Sequence, residues 1–194
     1  MPLAFGIRGA ALLLGGALLL AWECAASRPP AETLPSAVAP AAGMRILQGV
    51  PFLPQEEDTC GPSSLAMLLR FHGKDASVRE LVEETRTSGL RGTLVTDLAA
   101  AARRRGVRAE VTALDIQRLR ERIAGGEPVI LLVDLGVWAW SRPHYLIAYG
   151  TTSEGVVAHS GRTEGAVIPY GRLDAQWSKM GRLAIVAPLE GAQK

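Results

Sequence analysis

The feature that most constrains the fold is a change of apolar period along the chain. In four segments between residues 63 and 125 apolar side chains recur at helical spacing, as Leu65, Leu68 and Leu69 do in "SSLAMLLRFHG", which Gly73 ends. "SVRELVEETR" opens with Ser77 and Glu80 in capping-box spacing, so a second helix starts near Val78. "TDLAAAARRRG" reads as a third helix, capped by Thr96 and ended by Gly106, and "DIQRLRERIAGG" as a fourth, capped by Asp115 and ended by Gly125. Six segments read instead as strands: "RAEVTA", "PVILLVDL", "HYLIAYG", "GVVAHS", "GAVIPY" and "RLAIVAP". Gly-rich or polar turns separate the last four, as antiparallel connections require, and a short helix, "LDAQWSKM", precedes the final one. A short strand in "MRILQGVPFL" leads into the first helix. Helices first and strands later predict an α+β domain rather than a doubly wound one.

Upstream of this domain, Arg8 precedes an uncharged apolar run from Gly9 to Trp22, the length of a signal-peptide core and short for a membrane span. Residues 1–24 are therefore expected to be a signal peptide or lipoprotein leader, and the chain to be exported to the periplasm or outer envelope. Cys24 stands where a lipid-modified cysteine would, although Trp22 and Glu23 fill positions where the processing enzyme takes small residues; cleavage after Ala26 is the rival. The Ala/Pro-rich stretch over residues 25–45 reads as an extended tether, leaving 46–190 as the folded domain. The expected membrane contact is through that leader or its lipid. A net charge of +2 is too small to imply a nucleic-acid partner, and the basic cluster Arg103 to Arg108 closes a helix, where cations complement the dipole.

Only two cysteines exist, and Cys24 falls in the leader, so Cys60 has no disulfide partner in the domain. An unpaired thiol in an exported protein is either buried and inert or kept for its reactivity. Cys60 stands in "PQEEDTCGPSS", at a helix start, where unpaired amides and the dipole favour a thiolate. Of three histidines, His72 ends the first helix and reads as structural, whereas His144 opens a strand after the loop "GVWAWSRP", where a rigid sheet can present a base to a cleft. A nearby imidazolium would hold the thiol's pKa well below its ordinary value of about 8.5. The Cys60 amide and the side-chain NH2 of Gln55 are the donors available to a developing oxyanion.

These residues carry a resemblance. Gln55 five residues before Cys60-Gly61-Pro62 at a helix start, then "GEPVILLV" and "HYLIAYG" downstream, resembles the papain-like bacteriocin-processing cysteine peptidases, family thirty-nine, in its exported stand-alone bacterial form. The likeness spans Gln48 to Pro188. It implies a papain-like fold with the nucleophile helix packed on a C-terminal antiparallel sheet, and a peptidase that needs no cofactor or metal and acts on a peptide or protein. Cys60 is implied as nucleophile, His144 as general base and acid, and Gln55 as oxyanion donor. Sixteen residues past the histidine the family places an orienting aspartate; here that position is Ser160, and the chain contains no asparagine to serve instead. Serine can accept an imidazole hydrogen bond without stabilising imidazolium.

His159 should face away from Ser160, because side chains alternate along a strand; a one-residue slip would bring it to His144 and make Cys60, His144 and His159 resemble a metal set. Trp138, Trp140 and Gly61 are candidate substrate contacts, the two tryptophans equally open to a packing role, and Trp177 reads as core. Three functions remain: a cysteine peptidase, a peptide-binding module on the same fold with weak or lost catalysis, and an unrelated α+β domain that buries Cys60.

Overall fold

The computed structural model describes residues 44–87, 92–138 and 140–189, so the expectations for the leader and for most of the tether lie outside the described residues. Within this range the chain forms β1 (Arg45–Ile46), α1 (Cys60–Phe71), α2 (Val78–Thr85), α3 (Val95–Arg104), β2 (Glu110–Ala113), α4 (Ile116–Ala124), β3 (Val129–Asp134), β4 (Pro143–Thr151), β5 (Gly155–Ser160), β6 (Thr163–Pro169), α5 (Tyr170–Ser178) and β7 (Leu183–Val186). The strands make one sheet in the order β2-β7-β3-β4-β5-β6, with β1 added on β4, and every pairing is antiparallel.

Helices cover both faces, and β3 shows how. Ile130 and Leu132 pack with α1, α2 and α3, while Val129, Leu131 and Val133 pack with α4 and α5. A strand buried on both sides loses the alternation of a half-wet one, and "VILLV" is an unbroken apolar run for that reason. Helix α1 is deeply enclosed: residues 61–69 are all buried, including Ser63 and Ser64. Trp177, on α5, is fully buried and its indole N–H donates to the Leu183 carbonyl at 2.8 Å, the core role expected of it. Burying that indole is favourable because its one polar group is satisfied.

Helix starts follow local chemistry with one correction. Ser77 accepts from the Glu80 amide at 3.2 Å and Asp115 from the Arg118 amide at 2.7 Å, as the capping patterns predict. Thr96, the expected cap of the third helix, does not act as one. Helix α3 starts at Val95, so Thr96 lies inside its first turn. Leu94 is the N-cap, its carbonyl accepting from the amides of Asp97 and Leu98, with no side-chain cap.

Candidate active site

A single 3-10 turn, Glu57–Thr59, delivers the chain into α1, closed by the Glu56 amide donating to Thr59 Oγ1 at 3.0 Å. Cys60 is thereby the first residue of α1. Pro62, in the same turn, has no N–H, while the first amides of a helix have no partner within it, so the anion-favouring donors beside the thiol are those of Cys60 and Gly61. Gly61, a candidate substrate contact from the sequence, has a packing role. It is buried, and a Cβ there would meet Leu98 Cδ1 and Tyr145 Cδ2 at 3.1 Å, so glycine lets α1 approach β4.

Gln55 is almost wholly buried, at 4% exposure, and every polar atom of its side chain is used. Its Oε1 accepts from the Gly161 amide at 2.7 Å, and its backbone amide donates to the Gly161 carbonyl at 2.9 Å, which clamps the loop before α1 to the β5–β6 turn. Its Nε2 donates to Ser64 Oγ at 2.9 Å and, more weakly, to the Cys60 carbonyl at 3.4 Å. The side-chain NH2 is thus held beside Cys60.

His144 is the second residue of β4, opposite Val133, and its Nε2 meets Ser160 Oγ at 3.0 Å. The Cys60 sulfur lies against the amide of Tyr145, the residue after His144 on β4. His159 goes to the other side. It is buried between the rings of Tyr149 and Phe52, with centroids 4.3 and 5.2 Å away. Its Nδ1 accepts from the Gly165 amide at 3.2 Å, which leaves Nε2–H to donate to the Val50 carbonyl at 3.3 Å. The set Cys60, His144 and His159 does not assemble, and among the described residues no cluster of His, Cys, Asp or Glu could hold a metal ion.

The electrostatics depart from expectation. Burial pushes the Cys60 thiol up rather than down, outweighing the amides of Tyr145 and Gly61, and the Asp58 charge adds to the rise. Burial first and the Arg142 charge second push His144 down to about 4. At neutral pH Cys60 is a thiol and His144 a neutral imidazole. A helix terminus and an imidazolium would together make a resting thiolate; the dry setting of both groups opposes it.

A stability consequence follows. His144 titrates lower folded than unfolded, so the unfolded chain binds the proton more readily, and the histidine's contribution is intact above about 6.5 and lost as pH falls towards 4. Between pH 7 and 4.5 it should account for roughly 2 kcal/mol of lost stability. Urea unfolding at both values should show His144→Asn losing less than wild type by about that amount; an equal loss in both would contradict the burial of the ring.

Residues 51–188 match the family model of the peptidase C39 family. The chain belongs to that family. No curated protein sequence matches it. Among solved structures it is similar to a C39-like peptidase from Bacillus anthracis, at 20% identity and a TM-score of 0.64, with 75% of this chain and 97% of that one covered. The peptidase domain of Streptococcus ComA, a bifunctional ABC transporter of a quorum-sensing pathway, aligns at 23% identity and a TM-score of 0.60, covering 72% and 98%. A double-glycine-motif protease from an AMS/PCAT transporter, solved with a leader peptide, aligns at 19% and 0.57, covering 75% and 98%. At these identities the neighbours speak to the fold: α+β, with helices packed on an antiparallel sheet as the papain-like peptidases have.

In this C39 domain a cleft of about 590 Å³ is lined by Gln55, Glu56, Asp58, Arg142, His144 and Arg162 among others. Cys60 is half-buried and does not line it. Trp138 and Trp140 do not line it either, and they are not packed: at 101% and 82% exposure both side chains stand in solvent, which removes the packing alternative. Arg104 and Arg105 pair with Glu84, and Arg103 donates to the Ala109 carbonyl, so those members of the basic cluster finish α3 as expected. Sequence reasoning misses Ser64 and Gly161, which hold Gln55. The "SG" dipeptide after His159 is visible, but its pairing with a glutamine 106 positions earlier has no local signal.

Proposed function

We propose that this C39 domain hydrolyses a peptide bond through a thioester on Cys60. What supports the reading is that the Gln55 side-chain amide and the Tyr145 amide of β4 both meet Cys60, while His144, one residue before Tyr145, is held by Ser160. Because the resting pair is neutral, His144 acts as a base during attack rather than before it. Nε2 is engaged by Ser160, so Nδ1 takes the thiol proton as sulfur adds to the carbonyl carbon. The oxyanion is received by the Cys60 amide and by the Gln55 N–H that gives up its weak 3.4 Å contact with the Cys60 carbonyl. The intermediate collapses as imidazolium returns the proton to the leaving amine. Water then attacks the thioester, giving a proton to His144, which passes it back to the departing sulfur.

Ser160 supplies orientation without charge. An aspartate in its place would stabilise imidazolium, so Ser160→Asp should raise the His144 pKa from about 4 and increase kcat/KM about tenfold near neutral pH. Following the His144 ring resonance against pH, alongside turnover, checks both; a faster enzyme with an unmoved pKa would refute the electrostatic account. The uncharged Ser160 also favours a second reading, a peptide-binding module with little catalysis. Incubation with a peptide library, read by mass spectrometry for new termini, separates the two: cleavage products support hydrolysis, while bound but intact peptides support the module. The proposed location is the cell envelope, by way of the leader in residues 1–24, and the intact mass of the isolated protein would show cleavage or lipid at Cys24.

A further inference from the structure

We propose that Asp134, outside the set discussed above, is a positioning residue for His144; the inference rests on the peptidase reading of the site. Asp134 ends β3 opposite Pro143, so the loop between β3 and β4 both leaves and re-enters the sheet beside the histidine. Asp134 is only 8% exposed, and one carboxylate oxygen, Oδ1, accepts from the amides of Gly136 and Arg142, both at 2.7 Å. Ser141 also donates to this carboxylate from its side chain. Hydrogen bonds to an ionised carboxylate are about twice as strong as neutral ones, so one side chain ties the outgoing arm of the loop to the returning one.

Other contacts hold the same loop. The Leu135 amide donates to the Arg142 carbonyl at 3.0 Å, and Lys179 Nζ reaches the Gly136 carbonyl at 3.3 Å. A Cβ on Gly136 would lie 1.8 Å from the Trp140 carbonyl oxygen, so only glycine fits where the two arms meet. Trp138 takes a φ of 58°, a left-handed conformation that bulky residues rarely adopt and keep only when their surroundings over-determine it. What this loop delivers is Ser141, Arg142, Pro143 and His144, in succession, to the wall of the cleft. The charged or polar groups set near the imidazole are Arg142 on the same strand approach and the Ser160 hydroxyl on β5, with Glu56, Asp58 and Arg162 around the cleft, while Cys60 on α1 faces the amide of the next residue, Tyr145. Asp134 touches none of the reacting atoms and acts through the Arg142 amide, two residues before His144.

The test compares Asp134→Ala, Asp134→Asn and Gly136→Ala in the full chain. Two readouts are taken: the pH titration of the His144 ring resonance, assigned by its loss in His144→Asn, and kcat/KM on a peptide cleaved by the wild type. Loosening the loop admits water, so Asp134→Ala should move the His144 midpoint from about 4 towards 6.5 and lower kcat/KM roughly 10- to 100-fold, mainly in kcat. Gly136→Ala, which leaves the carboxylate intact, should do the same, and Asp134→Asn, which keeps an acceptor oxygen, should fall between. An unmoved His144 midpoint in both Asp134→Ala and Gly136→Ala, with turnover falling only as the folded fraction by thermal melting falls, would overturn the proposal. If the wild type cleaves no peptide, the peptidase reading fails while the titration still decides the role of Asp134.

Discussion

Cys60→Ala is expected to lower kcat/KM by at least about 10⁴-fold while leaving the fold and peptide binding intact. The reason is that no other thiol in the domain can take the acyl group: the chain's only other cysteine is Cys24, outside the residues 51–188 that match the family. His144→Ala should cost a similar factor, because a thiol whose pKa burial has raised has no resting thiolate to fall back on. The double substitution should be scarcely worse than either single one, since nucleophile and base act as one unit. Steady-state kinetics on a cleaved library peptide measure all three. Turnover that survives in Cys60→Ala would end the thioester mechanism, and losses that multiply in the double variant would show that His144 acts independently.

Gln55→Ala should lower kcat by about 10²- to 10³-fold, the range for removing one oxyanion donor. It should also destabilise the domain by about 1–3 kcal/mol, because the Gly161 amide and Ser64 hydroxyl lose a buried partner. The two effects separate with Gln55→Glu. A carboxylate can still accept from Gly161, so it keeps part of the clamp, yet it presents negative charge where the oxyanion forms, so catalysis should stay low while stability partly recovers. Thermal melting and kinetics on the same samples check this. Full activity in Gln55→Ala would leave the Cys60 amide as the oxyanion donor in place of the pair.

Much of this fold is legible in the sequence because it rests on local chemistry. The Ser77 and Asp115 caps are short-range hydrogen bonds, and Gly and polar turns mark the strand ends. Thr96 beside Asp97 has the look of a cap, whereas α3 starts from the Leu94 carbonyl without one. Cys60, Gln55 and His144 stand out because helix-start and strand-mouth positions advertise their chemistry. Their protonation is not legible. It depends on burial by residues far apart in sequence, and desolvation reverses the expected direction for the thiol and leaves the imidazole neutral. The role of Asp134 is hidden for a related reason: an acid at the end of an apolar strand reads as the edge of a loop, and only the fold shows that both of its amide partners lie on that loop.

The clamp between Gln55 and Gly161 bears on when activity can arise during synthesis. The residues it joins are 106 positions apart, and His144 meets Ser160 from the same distal hairpin. A ribosome that has made α1 has already made Cys60, yet the Gln55 side chain beside it is not fixed until β5 and the turn after it have emerged and paired. Contacts of such long range must overcome loop-closure entropy before they are rewarded, so they form late. The nascent chain therefore carries Cys60 without its fixed neighbour through the synthesis of the hundred or so residues that follow, so on the proposed reading its own growing peptide is shielded from a thiol not yet held in place.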